Sequence, residues 1–260
     1  MRLIAVNQGP AQGFYRAGAE IRLDPGAITY WRTPGEAGAP PVFDFEGSEN
    51  VADVAVLYPV PTRIDESGTE VYGYRQEVIF PLHVTPKDGA RPALLALTLK
   101  FAVCERICLP AQAEANLPLA PLKGVVTGGA GGGQEAALAM AEATVPARLT
   151  AMERDAKIAI ARDRGQQAPT WRLTIQNRET KPAEEAQDPL MQDLFAEAPE
   201  GWFFETRKAD RPNEFLIVES ERPKADAGPP PPVVLTLKQP GRSYEFTAEL
   251  GGASLVSKDR

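Results

Sequence analysis

Between Pro92 and Leu119 the chain alternates apolar and polar residues on both sides of a short tip, and this pattern leaves little choice of structure. On the way in, Leu95, Leu97, Leu99, Phe101 and Val103 occupy every second position, with Thr98 and Lys100 between them. On the way out, Ala111, Ala113, Ala115, Leu117 and Leu119 alternate with Gln112, Glu114 and Asn116. Period two means strands, and two such runs meeting at a tip make a β-hairpin with one buried face and one wet face. The chain's two cysteines, Cys104 and Cys108, close the tip around a three-residue loop of Glu105, Arg106 and Ile107. If both strands keep register, both cysteines fall on the polar face as a directly opposed pair. Their Cβ atoms would then be roughly 4.5–5.5 Å apart, close to what a disulfide requires.

Three chemistries are open to such a pair. As a staple the bond contributes little, because closing a loop of about five residues is worth only ~2 kcal/mol in chain entropy, against ~4.7 kcal/mol for a hundred-residue loop. As a redox pair at the outer end of a ribbon, it is placed where another protein's thiolate can reach it. As a metal site it lacks ligands. Two thiolates need further donors, and the chain's one histidine, His83, lies between Leu82 and Val84 in a strand, where a surface or strand-edge role suits it.

The 260 residues suffice for two ordinary domains. With 43% hydrophobic and 24% charged residues, the composition is that of a soluble globular protein. A net charge of −7 without any basic cluster argues against nucleic acid as a partner, and the acidic surplus reads as solvated surface. No apolar run approaches the ~18 residues that span a membrane, so direct membrane insertion is not expected. The start, MRLIAVNQGP, lacks the apolar stretch of a signal peptide. A cysteine hairpin suits an oxidising compartment, so we expect an exported protein in which Met1 stands where an export signal has been removed.

Along the first half, FYRAGAEIRL and ITYWRT read as strands joined by the turn Asp24-Pro25-Gly26. A Pro/Gly-rich stretch follows, and Trp31-Arg32 before it suits packing and turn anchoring. Val51 to Tyr58 and Val78 to Val84 are further strands, and the polar stretch from Pro61 to Gly73 is expected as a surface loop. Many short strands without helical period predict an all-β sandwich over residues 1–122. Residues 123–150 are expected to be a Gly-rich linker and a short helix, EAALAMAEATVPARL, stopped near Pro146. Residues 151–260 return to strands, among them KIAIARD, TWRLTIQ, FLIVES and VVLTLKQ, and predict a second β-sandwich without cysteine or histidine. Its aromatic residues, Trp171, Trp202, Phe203 and Phe204, are expected in the core.

The segments ITYWRTPGEAGAPPVFDFEGSENV, EVYGY at Glu70 to Tyr74, and FAVCERICLPAQAEANL together resemble a known family. They are similar to the N-terminal periplasmic domain of the thiol:disulfide interchange protein DsbD, with closest likeness to the copper-sensitivity suppressor branch, ScsB. The likeness covers roughly residues 1–122, and the helix and second β-domain also fit that branch with less distinctive sequence. It implies an immunoglobulin-like sandwich with a redox-active cysteine pair, which by position is Cys104 and Cys108. It implies as partners a thioredoxin-like or membrane electron-transfer domain that supplies electrons and periplasmic thiol–disulfide proteins that receive them, a periplasmic location, and protein-disulfide reductase activity. The family's cap loop, which covers the disulfide until a partner arrives, maps onto Glu70, Val71, Tyr72 and Gly73. This chain departs from the family pattern in two ways. Its cysteines are three residues apart, closer than in the best-known member, and Val71 stands where that member has phenylalanine. A smaller cap shields less, and Tyr72 or Tyr74 is the residue placed to substitute.

Nothing in the sequence makes either cysteine acidic: no helix N-terminus precedes them, and Glu105 and Arg106 cancel. The pair is therefore expected as a relay, attacked by a partner's low-pKa thiolate. The family assigns the mixed disulfide to the second cysteine, so Cys108 is expected to be attacked first and Cys104 to resolve. No cofactor is called for. Two readings from other classes remain. One is a non-catalytic β-sandwich binding module whose disulfide is structural. The other is a Cu(I)-handling protein using both thiols, which rests on the family branch and the soft-ligand preference of that ion.

Overall fold

The computed structural model describes residues 1–6, 10, 12–121, 132–176, 191–224 and 226–251. The chain divides into two compact units, Met1–Val145 and Pro146–Arg260. Both are built from β-sheets, and the fold is all-β, as the strand periodicity predicts.

In the first unit, β1 (Arg2–Ala5), β2 (Tyr15–Arg22), β8 (Glu77–Pro86) and β5 (Val51–Val56) form one antiparallel sheet in that order. The second sheet runs β10 (Cys108–Leu119), β9 (Ala93–Cys104), β3 (Ile28–Gly35), β7 (Thr69–Arg75), β6 (Thr62–Glu66), with β4 (Val42–Asp44) also pairing to β9. Tyr74 and Phe43 from the second sheet meet Phe80 of the first edge-on, with ring centroids 5.5 and 5.3 Å apart. Leu95, Leu97 and Leu99, the apolar positions of the alternation, are buried in this core.

Three expectations change here. The polar stretch Pro61 to Gly73 is not a surface loop but most of a hairpin, β6–β7, turned tightly at Ser67-Gly68, where both residues have positive φ. Two consecutive left-handed residues match the right-handed twist of the flanking strands, which is how so polar a segment still makes a ladder. His83 is not on a strand edge: β8 lies between β2 and β5, and Phe14 stacks on the imidazole with centroids 4.0 Å apart. Burial there holds its pKa below the ordinary histidine value.

The third change concerns the predicted helix. α1 (Gly132–Ala143) belongs to the first unit rather than to a linker. Leu138 is fully buried among Ile4, Val6 and Ile79, and Arg16 pairs with Glu142. Gly18 makes the docking possible, since a Cβ there would stand 3.1 Å from a Leu138 methyl and 2.9 Å from one of Ile79. The Gly-rich stretch 122–131 lies outside the described residues.

The second unit starts earlier than expected, because β11 (Ala147–Arg148) pairs in parallel with β18 (Tyr244–Ala248). That sheet continues through β17 (Val233–Lys238) to β14 (Asp193–Glu197). The other sheet runs β12 (Ile158–Asp163), β13 (Thr170–Ile175), β16 (Glu214–Glu221), β15 (Phe203–Lys208). Leu173, Leu194, Phe215, Ile217 and Leu235 form the core, with Trp171 and Phe204 also buried and Trp202 packed against them. An unanticipated short helix, α2 (Ala151–Lys157), starts at a capping box in which Thr150 and Glu153 exchange hydrogen bonds.

Candidate redox site

Strands β9 and β10 pair without interruption from Ala93↔Leu119 to Cys104↔Cys108. The two cysteines are therefore directly opposed, with Cα atoms 4.1 Å apart, and are joined in a disulfide. Glu105, Arg106 and Ile107 are all exposed at the tip. The two sulfurs differ sharply in environment. Cys104 is only 1% exposed, whereas Cys108 is open to solvent.

The alternation places Cys104 on a wet face, and the structure corrects this. Ala102 and Cys104 share that face, and both pack into a small apolar cluster with Ile28, Tyr30, Ile64 and Val71. Side chains from β3, β6 and β7 cover the polar face of the ribbon at its tip, something the periodicity of β9 alone does not reveal.

The segment that the resemblance maps as a cap loop is also different. Glu70, Val71, Tyr72, Gly73 and Tyr74 form a β-strand, β7, paired to β3 on one side and β6 on the other. Val71 is fully buried beside Cys104. Tyr72 is held by Arg63, whose guanidinium lies 5.2 Å from the ring centroid and pairs with Glu70. The Tyr74 hydroxyl donates to the Pro59 carbonyl at 2.7 Å, away from the sulfurs. Gly73 is required where it stands, since a Cβ would lie 2.2 Å from the Thr29 carbonyl oxygen of β3.

Two residues missed in the sequence complete the site. Tyr30 places its hydroxyl 2.9 Å from the Cys104 sulfur, 3.5 Å from the Cys108 sulfur and 2.8 Å from Glu66 Oε2, to which it donates a hydrogen bond. Glu66 Oε1 lies 3.3 Å from the Cys108 sulfur. Glu66 is the last residue of β6, and the Ser67-Gly68 turn aims it at the tip of the neighbouring ribbon. A disulfide sulfur has no proton to give, so this is a contact now and becomes an S–H···O hydrogen bond once the pair is reduced. Burial first, and then the Glu66 carboxylate, raise the Tyr30 phenol well above its ordinary pKa and keep it protonated. Glu66, Cys104 and Cys108 also bring three potential metal ligands within 4.8 Å of one another, a third donor that the sequence did not show.

Along the ribbon from Cys108 runs an apolar groove of about 530 Å³, walled by Pro40, Val42, Phe101, Ala102, Leu109 and Pro110. Val42, Ile107 and Leu109 leave 56%, 74% and 62% of their surface exposed, so large apolar side chains surround the one accessible sulfur. Such clustering on an otherwise charged protein marks an interaction surface.

A disulfide with one buried and one open sulfur, beside an acid, a phenol and an apolar groove, is suited to exchange with another protein's thiol. Residues 2–120 match the family profile described as thiol:disulfide interchange protein DsbD, N-terminal. The first unit is a DsbD N-terminal domain. A solved structure of the N-terminal periplasmic domain of ScsB from Proteus mirabilis is 20% identical, with a TM-score of 0.70 over 96% of this chain and 92% of that one. At that identity the likeness shows the fold, and it extends across both units. An endo-fucoidan hydrolase of glycoside hydrolase family 107, 9% identical over 88% of this chain and 28% of that one, has a TM-score of 0.18, too low to carry any argument. A comparison with curated protein sequences finds no match. No helix among the described residues is long and apolar enough to cross a membrane.

Proposed function

We propose that this protein is a periplasmic thiol–disulfide exchange module. It takes two electrons from a thioredoxin-like or membrane electron-transfer domain and passes them to oxidised periplasmic proteins through Cys104 and Cys108. The observation that carries this reading is the asymmetry of the disulfide: Cys108 can be reached from solvent, and Cys104 cannot.

In the first half-reaction a partner thiolate attacks Cys108 Sγ, the S–S bond breaks, and its electron pair leaves on Cys104. The Tyr30 hydroxyl, 2.9 Å away, turns its proton from Glu66 towards the charge that develops on that sulfur. The partner's second thiolate then attacks its own half of the mixed disulfide. The partner departs oxidised, and two protons complete the two thiols. In the second half-reaction Cys108, its proton lost to solvent, attacks a client disulfide as the thiolate. Cys104 then displaces the reduced client by attacking Cys108, restoring the internal bond. The groove beside Cys108 seats the chain flanking the partner's cysteine. The cover assigned by the resemblance to a loop is provided by the β6–β7 hairpin, which shields Cys104 through Val71 and leaves Cys108 open.

A redox titration tests this reading against a structural staple. A midpoint near the thioredoxin range, about −270 mV, fits a carrier, and one well below about −300 mV marks an inert bond.

A further inference from the structure

We infer that the reduced form of this site binds a single zinc ion through Cys104 Sγ, Cys108 Sγ and Glu66 Oε1, with a fourth position open to water. The three donor atoms already lie within 4.8 Å of one another. Zinc–sulfur and zinc–oxygen bonds of about 2.3 and 2.0–2.2 Å at tetrahedral angles require roughly 3.5 Å between a thiolate and a carboxylate oxygen that share the ion. The Cys108 sulfur and Glu66 Oε1 are 3.3 Å apart, close to that separation in the oxidised protein. Once the S–S bond is reduced, the two sulfurs must draw apart, and Cys104 Sγ and the carboxylate must settle at the same separation from within 4.8 Å. The directly opposed strand ends and the three-residue tip allow that without loss of the ladder.

The donor set suits a borderline-soft divalent cation. Two thiolates and a carboxylate carry three negative charges, against two on the ion, and Tyr30 donates to Glu66 Oε2, holding the carboxylate with its other oxygen towards sulfur. Cys104 is buried and supplies a dry inner side. Cys108 and Glu66 Oε1 form the outer rim, where the open coordination position would lie. Binding converts two thiols to thiolates and releases two protons to solvent, with no change in oxidation state. The ion and a partner disulfide then compete for the same Cys108 sulfur, so zinc holds the carrier reduced and silent.

This inference rests on the pair being reducible. Its test is separable from the exchange reading because a phosphine reductant opens the bond whether or not a protein partner does. The whole chain, reduced and freed of reductant without air, is titrated with Zn²⁺, and the sites are read by Cd²⁺ through its thiolate charge-transfer absorption. The expected result is one ion per chain, close to two protons released, no binding by the oxidised protein, and protection of Cys108 from alkylation. Glu66→Gln keeps both thiols and the fold, and should weaken Zn²⁺ binding at least tenfold. Equal Zn²⁺ affinity for Glu66→Gln and the parent would overturn the proposal, as would absence of stoichiometric binding by the reduced parent. An inert bond in the redox titration together with zinc binding by the phosphine-reduced chain would sink the exchange reading and leave the metal site standing.

Discussion

The Tyr30 hydroxyl stands 2.9 Å from the Cys104 sulfur while donating its proton to Glu66. A buried tyrosine thus links the sulfur that leaves during exchange to the acid beside the sulfur that is attacked. Removing the hydroxyl alone should expose its contribution. Tyr30→Phe is expected to slow single-turnover reduction by a thioredoxin about tenfold, less than the loss of a full oxyanion donor because sulfur is a softer acceptor. The domain should stay folded, which the near-ultraviolet spectrum checks. An unchanged rate would remove Tyr30 from the mechanism.

Glu66 acts in the opposite sense on the resting dithiol. A carboxylate 3.3 Å from the Cys108 sulfur disfavours a second negative charge there. In the reduced protein, Glu66→Gln removes that charge and should therefore speed alkylation of Cys108 by iodoacetamide at neutral pH severalfold. Alkylation rates measured against pH for both proteins decide it, and coincident profiles would show that the carboxylate does not reach the thiol.

The acid stability of the first unit should depend on Glu20. It is 2% exposed on β2, paired with Arg2 and with Arg22 at 3.0 Å. The hydrogen bond from Arg2, aided by the charges of both arginines, holds its carboxyl below the ordinary glutamate value. A depressed folded-state pKa gives stability that is complete above the unfolded value near 4.5 and is lost as pH falls through the folded one. Glu20→Gln should cost about 1–2 kcal/mol at pH 7, because both arginines keep much of their hydration. The difference between variant and parent should shrink below pH 4.5, as denaturant melts at pH 7 and pH 3.5 would show. A constant difference would mean the pair contributes no charge-dependent stability.

Helix α1 should be needed by the domain it covers. Leu138→Ala empties a fully buried site between the helix and the first sheet, and is expected to cost about 2–4 kcal/mol. Met140→Ala, on the exposed side at 72%, should cost less than about 0.5 kcal/mol. Equal effects would return the helix to the status of a linker.

Much of this architecture could be read from residue order, and the part that could not has physical causes. Alternation from Leu95 to Leu119 gave the ribbon, its register and the opposed cysteines, because period two admits one pairing that buries the leucines. The EVYGY motif carried the family likeness, yet its reading as a loop failed, because strand pairing on both sides of Val71 depends on the distant partners Gly35 and Ile64. Glu66 sits four residues from a glutamate that the motif does contain, and nothing local separates a carboxylate aimed at sulfur from one in water. Its one legible sign was the Ser67-Gly68 turn, which marks a hairpin tip. The cap of α2 was equally legible as Thr150-x-x-Glu153, ahead of a helix too short to show a period.

The most direct test of the account is mixed-disulfide trapping with the two single-cysteine variants, each charged with thionitrobenzoate, incubated with a reduced thioredoxin that lacks its second active-site cysteine, and resolved without reductant. Cys104→Ala, which keeps the open sulfur of Cys108, should accumulate the covalent complex, and Cys108→Ala, which keeps only the buried sulfur, should not. A complex formed by Cys108→Ala alone would contradict the assignment of Cys108 as the sulfur through which partners are met.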